Sequence, residues 1–168
     1  MTVKNSRKTT TMQINGEAIT GGMPFSKIDH IGVVVSELDK AVGYYQALGI
    51  GPFKRVDAVA VDRMEYGKPV DFVMRIRVAK IGDLWFELIQ PVSGESFHER
   101  FLKSRGEGIS HLAFSVDDID QWVTKLADMG INAIVTGKFE GGGGFAYYDI
   151  GKASGVMFEL IQWSPGGP

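Results

Sequence analysis

Cysteine is absent from the chain, which excludes disulfides, thiolate metal sites and thiol nucleophiles together. Any metal would have to be held by imidazole and carboxylate groups. Histidine is scarce too, with 3 in 168 residues. No apolar run is long enough to span a bilayer, and the N-terminus lacks the charged-then-apolar pattern of a secretory signal, so the expected location is cytoplasmic. Neither sign of charge dominates: 18 Lys+Arg against 20 Asp+Glu leave a formal net charge of -2, too balanced to draw nucleic acid or an anionic membrane. A small-molecule ligand is expected instead. Hydrophobic residues at 44% and charged residues at 23% are those of an ordinary globular chain, long enough for one core.

Residues 1–24 are rich in Thr, Lys, Asn and Gly with little apolar periodicity, and read as a mobile tail or an added edge strand outside that core. Beyond them the sequence repeats itself. Ile28-Asp29-His30-Ile31-Gly32-Val33-Val34-Val35 aligns with Ile109-Ser110-His111-Leu112-Ala113-Phe114-Ser115-Val116 at an offset of 81 (111 − 30). The register continues without a gap to Gly49 and Gly130. Phe86-Glu87-Leu88-Ile89-Gln90 recurs identically as Phe158-Glu159-Leu160-Ile161-Gln162 at an offset of 72 (159 − 87). Each half therefore opens on a strand carrying one His and closes on a strand carrying one Glu.

Within a half, residues 28–35 form a β-branched strand. Ser36 or Glu37 opens a helix with Leu38, Ala41, Val42, Tyr45 and Leu48 at helical spacing, and Gly49 ends it. Asp117 or Asp118 opens the equivalent helix of Ile119, Trp122, Val123, Leu126 and Met129, closed by Gly130. Strand character follows at 53–62, 70–80 and 83–90, and at 132–138, 145–150 and 156–162. The fold class is α+β, with two βαβββ modules spanning 25–92 and 107–164 and a linker (93–106) whose helix covers 96–104. By alternation along a strand, His30 faces away from Ile31, Val33 and Val35, which pack on the helix; Glu87 and Glu159 face away from the Phe and Leu beside them.

Two imidazoles and two carboxylates in equivalent slots of a repeat make an N2O2 donor set suited to one divalent ion such as Zn, Ni, Co, Mn or Fe(II). The competing reading makes each His a satisfied core residue and each Glu a solvated one. Paired placement of two of only three histidines favours the metal. The third, His98, is read as solvated in the linking helix.

His, Glu, His, Glu on paired βαβββ modules resemble the vicinal oxygen chelate superfamily, which includes glyoxalases, methylmalonyl-CoA epimerases, extradiol dioxygenases, fosfomycin-resistance proteins and bleomycin-binding proteins. The resemblance covers residues 25–164 and is nearest to methylmalonyl-CoA epimerase, through Ile28-Asp29-His30-Ile31-Gly32-Val33, Glu87-Leu88-Ile89-Gln90-Pro91, Phe101-Leu102-Lys103 and Gly106 to Phe114. It implies an eight-stranded cup, usually dimeric, with His30, Glu87, His111 and Glu159 as metal ligands and Glu65 of Glu65-Tyr66-Gly67 as catalytic base. Two departures stand out. Ser110-His111 replaces a His pair, and Tyr147-Tyr148-Asp149-Ile150 replaces a His-Pro-Lys, which weakens the case for coenzyme A recognition.

The chemistry so implied is proton removal next to a carbonyl with a metal-stabilised enolate, by an epimerase, isomerase or lyase acting on a carbonyl, carboxylate or acyl-thioester substrate. Glu65 and a metal-bound Glu (Glu159 or Glu87) would move the proton. A ring-cleaving dioxygenase would need further acid–base groups, for which Tyr66, Tyr147 and Tyr148 are the spares. A binding or resistance protein would hold an antibiotic or aromatic ligand against Trp85, Phe145 and Tyr147. Gly141-Gly142-Gly143-Gly144 reads as a flexible loop or lid.

Overall fold

The structure, a computed structural model, describes residues 12–14, 17–19, 22–56, 60–149 and 155–167. Strands β1 (Met12–Ile14) and β2 (Glu17–Ile19) pair only with each other. The N-terminal segment thus adds no edge to the main sheet among the described residues. None of the described helices is long and apolar enough to cross a membrane.

The first half contains β3 (Ile28–Val34), α1 (Leu38–Ala47), β4 (Lys54–Arg55), β5 (Ala60–Glu65), β6 (Lys68–Pro69), β7 (Val73–Ile81) and β8 (Leu84–Ser93). Helix α2 (Phe97–Arg105) leads into β9 (Gly108–Ser115), α3 (Ile119–Asp128), β10 (Val135–Phe139), β11 (Gly144–Tyr148) and β12 (Met157–Gln162). One mixed ten-stranded sheet results, in the order β4-β7-β8-β3-β9-β12-β11-β10-β5-β6. Outward from the antiparallel β3–β9 pair, β8, β7 and β4 on one side match β12, β11 and β10 on the other. The glyoxalase-type α+β architecture is as expected, but the first half is longer than βαβββ. Instead of one strand over 53–62 it forms the short β4, then β5 and β6, which cross over to join β10 of the second half.

That crossover requires curvature. In a flat sheet β4 and β5 would lie eight strand spacings apart, roughly 38 Å. The five chain steps from Arg55 to Ala60 reach at most about 18 Å. The sheet must curl into a half-barrel, which makes a cup of its inner face.

The helices cover the outer face. Leu38, Ala41, Val42 and Tyr45 of α1 pack on Ile31, Val33, Val35 and Leu88, while Ile119, Trp122, Val123 and Leu126 of α3 pack on Phe114, Tyr148 and Leu160. The last residue of each repeated pentapeptide caps the helix of its own half: Leu38 N donates to Gln90 Oε1 at 3.4 Å, and Ile119 N donates to Gln162 Oε1 at 3.0 Å.

The central β3–β9 ladder carries two irregularities, between Ile28 and His30 and between Gly32 and Val33. The extra residues are Asp29 on β3 and Ser110 on β9, which occupy the same slot of the repeat. A bulge breaks strict alternation, so each of these residues turns beside the histidine that follows it. Across the same ladder Gly32 opposes His111. A Cβ on Gly32 would lie 1.8 Å from His111 Cε1, so only glycine lets the imidazole lie across β3. Gly32→Ala is therefore expected to push His111 out of place at a cost of about 1–3 kcal/mol, read as a lower chemical-denaturation midpoint; an unchanged midpoint would contradict this packing.

Candidate metal centre

Strands β8, β3, β9 and β12 are neighbours in the sheet and bring Glu87, His30, His111 and Glu159 to the floor of the cup, all buried. The Nε2 atoms of His30 and His111 are 3.1 Å apart. Glu159 Oε2 lies 3.2 Å from His30 Nε2 and 3.1 Å from His111 Nε2; Glu87 Oε2 is 3.4 Å from both. Donor atoms of His30, His111 and Glu159 all lie within 4.8 Å of one another, a group able to hold a metal ion, with Glu87 alongside.

The far nitrogen of each imidazole is fixed by its bulge residue. His30 Nδ1 donates to Asp29 Oδ1 at 2.9 Å, and Asp29 also accepts from Ser115 Oγ at 2.7 Å and Trp163 Nε1 at 3.1 Å. His111 Nδ1 meets Ser110 Oγ at 3.0 Å, and that hydroxyl donates to Gly32 O at 3.2 Å. With Nδ1 so engaged, both Nε2 atoms present lone pairs to the cluster, the arrangement in which outer partners orient metal-binding histidines. Glu159 Oε2 is buried with no hydrogen-bond partner despite its closeness to both rings. A buried carboxylate oxygen facing imidazole lone pairs needs a cation between them, so the donor set fits a divalent ion.

Without one, protons take its place. Burial disfavours the charged imidazoles, but the Glu87 charge overrides it at His30, whose pKa stands well above the usual histidine value, and the facing Glu159 and Glu87 carboxylates raise His111 likewise. Burial would lift both glutamates, yet the same imidazoles hold them below the usual carboxylate range. At Asp29 burial is outweighed by its hydrogen bonds from His30, Ser115 and Trp163, and the pKa falls.

The cup above the cluster encloses about 170 Å³ and is mostly apolar, with Phe72, Ile76, Phe139, Phe145 and Trp163 among its walls. Glu65 lines it too. Rather than a solvated loop residue, Glu65 is the buried last residue of β5, held just before a two-residue hairpin in which Tyr66 and Gly67 both have positive φ (48° and 73°). Its carboxylate accepts from Arg100 Nη2 of α2. A bulge at Asp62 (φ 49°) resets the alternation, so that Ala60, Arg63 and Glu65 all reach the cup.

His98 is not solvated: it is 4% exposed and lines the cup. Its neighbours Phe97 and Phe101 on α2 are the sequence signal for a buried helix face there. Of the three spare tyrosines only Tyr147 is in the cup, where burial and then the Glu159 and Glu87 charges raise its pKa well above 10. Tyr66 is 70% exposed, and Tyr148 packs on the helix side. Trp85 lies outside the cup beneath Lys80, whose Nζ is 3.9 Å from the ring centroid; Phe145 and Tyr147 do line it. Gly141–Gly143 lie in the turn of the β10–β11 hairpin and Gly144 opens β11, with a 2.8 Å bond from Ser164 Oγ to Gly142 O.

Since both imidazoles keep their protons above the usual histidine range, a metal ion must displace those protons. Uptake should release protons near pH 6 and fewer as pH rises, so affinity strengthens from pH 6 to 8. Titration calorimetry in buffers of different ionisation enthalpy reads this; proton-neutral binding at pH 6 would contradict it.

The model of the Glyoxalase/Bleomycin resistance protein/Dioxygenase superfamily matches residues 29–148. The uncharacterised protein YqjC of Bacillus subtilis (strain 168) is 24% identical over 140 residues, 82% of this chain and 92% of that one. Hemolysin VllY of Vibrio vulnificus is 30% identical over 113 residues, 66% of this chain but only 30% of the longer protein. Among solved structures, methylmalonyl-CoA epimerase from Mycobacterium tuberculosis superposes with a TM-score of 0.66 at 24% identity, covering 88% of this chain and 94% of that one. A Streptomyces coelicolor methylmalonyl-CoA epimerase in complex with 2-nitronate-propionyl-CoA gives 0.64 at 24% identity, covering 84% and 97%. At that identity the structural likeness speaks for the fold alone. The matched family model spans well over half of the sequence, and the chain belongs to the glyoxalase/bleomycin resistance protein/dioxygenase superfamily.

Proposed function

We propose that this protein is a divalent-metal-dependent enzyme that moves a proton on the carbon next to a carbonyl, as an epimerase or isomerase. The observation that carries the reading is the buried His30–His111–Glu87–Glu159 cluster with its unpartnered Glu159 Oε2. These four residues would hold the ion. When bound, it supplies Lewis acidity to one or two substrate oxygens and lowers the energy of the enolate charge.

The protein's own groups then handle the proton. A Glu65 oxygen takes it from the α-carbon, leaving the bonding pair on the substrate, and the Arg100 hydrogen bond holds that carboxylate in place. For epimerisation a protonated Glu159, no longer holding the ion, would give its proton to the other face while Glu65 passes the abstracted proton to solvent; return of the Glu65 proton to the neighbouring carbon gives the isomer. The apolar walls exclude water that would otherwise compete for the enolate. With about 170 Å³ enclosed, the cup takes the reacting end of a substrate and leaves a bulky group, such as the carrier of an acyl thioester, outside.

A second reading has one observation in its favour. Phe139 stacks on Trp163 with rings 3° from parallel and centroids 5.8 Å apart, a surface that would hold an aromatic ligand without reaction. Exchange of the α-hydrogen for solvent deuterium, followed by NMR on acyl thioesters and 2-oxo acids, separates the two. Turnover is expected with the parent and a loss of about 10²–10⁴-fold with Glu65→Gln at unchanged metal content. Full exchange by Glu65→Gln would remove Glu65 from its role, and binding without exchange by the parent would favour the aromatic-ligand reading.

A further inference from the structure

His98 enters the cup from α2, outside the repeat, and has no counterpart among the four clustered groups. Its ring stands edge-on to Tyr147 (centroids 5.6 Å, 83°) and to His111 (5.8 Å, 73°), with Phe97 on a third side at 5.1 Å. Its Nε2 is closed to bulk water and has no hydrogen-bond partner among the described residues. A buried imidazole nitrogen is normally satisfied, because leaving it unpaired forfeits its hydration with nothing in return. The donors of His30, His111 and Glu159 that could share one ion come from other elements and do not include His98. His98 also lines the cavity, together with His30, Glu87 and Glu159.

We propose that His98 is a substrate-binding residue of the cup, whose Nε2–H donates to an oxygen of a small carbonyl or carboxylate ligand held at the four-donor cluster. This deepens the metal-dependent reading above and rests on it. The burial of His98 disfavours a charged imidazole there. A neutral donor can hydrogen-bond an oxygen that gains negative charge without placing a second cation beside the metal. The same bond would fix which oxygen of the ligand faces α2, and so which face of the adjoining carbon turns toward Glu65.

The full-length protein loaded with Zn and carrying ¹⁵N-labelled histidine tests this, with oxalate as the probe. Oxalate should shift the His98 Nε2 resonance, and His98→Leu should keep one metal ion per chain while binding oxalate about tenfold more weakly. His98→Gln, which restores a donor of similar reach, should recover part of that loss. An ion-loaded parent in which oxalate leaves His98 unmoved overturns the inference alone, whether a buried water or nothing occupies Nε2. So does a folded His98→Leu that binds oxalate as the parent does. A parent that takes up no metal ion overturns the metal reading and this inference with it.

Discussion

Two carboxylates and two imidazoles are buried together at the seam of the sheet, and the rest of the molecule is arranged around the need to neutralise them. Nothing in the surrounding apolar strands could compensate such a concentration of polar groups, so a cation or a pair of protons must occupy the space between. The topology makes this concentration possible. In each half the His strand and the Glu strand pair in parallel, β3 with β8 and β9 with β12, and the halves meet antiparallel through the two His strands. Four donors then fall on four adjacent strands. Gly32 leaves room for His111 to lie across the seam, and the bulges at Asp29 and Ser110 supply each imidazole with an outer partner.

Much of this floor could be read from residues alone because it is repeated. Recurrence of Ile-Asp-His beside Ile-Ser-His, and of Phe-Glu-Leu-Ile-Gln in full, fixes the strand identities, while period-two alternation fixes which side chains face the cup. The bulges were hidden, since a bulge is a property of main-chain register between strands far apart in sequence and leaves no local pattern. The crossover of β5 onto β10 was hidden for the same reason. It places Glu65, which lies between the expected strands 53–62 and 70–80, at a buried strand end. The burial of His98 is not apparent from Glu99 and Arg100 beside it, which suggest an exposed helix face, whereas Phe97 and Phe101 turn that face inward.

A division of labour follows between floor and walls. The floor is pseudo-symmetric and contributes what a metal-supported reaction needs in general: donors, burial and orientation. The walls come from parts without counterparts in the other half, β5 with Arg63 and Glu65 and α2 with His98, and from the β11 aromatics Phe145 and Tyr147. In the proposed reaction, substrate choice and the path of the proton would fall to these elements. A superfamily that keeps its floor can change its chemistry by changing such walls.

Elemental analysis of protein purified without added metal, set beside the same preparation of His111→Ala, tests the shared-cation account most directly. It predicts about one tightly held divalent transition metal per chain in the parent and loss of that metal in the variant. A parent that carries none and takes up none from Zn, Ni, Co, Mn or Fe(II), or a His111→Ala protein that retains a full complement, would contradict it.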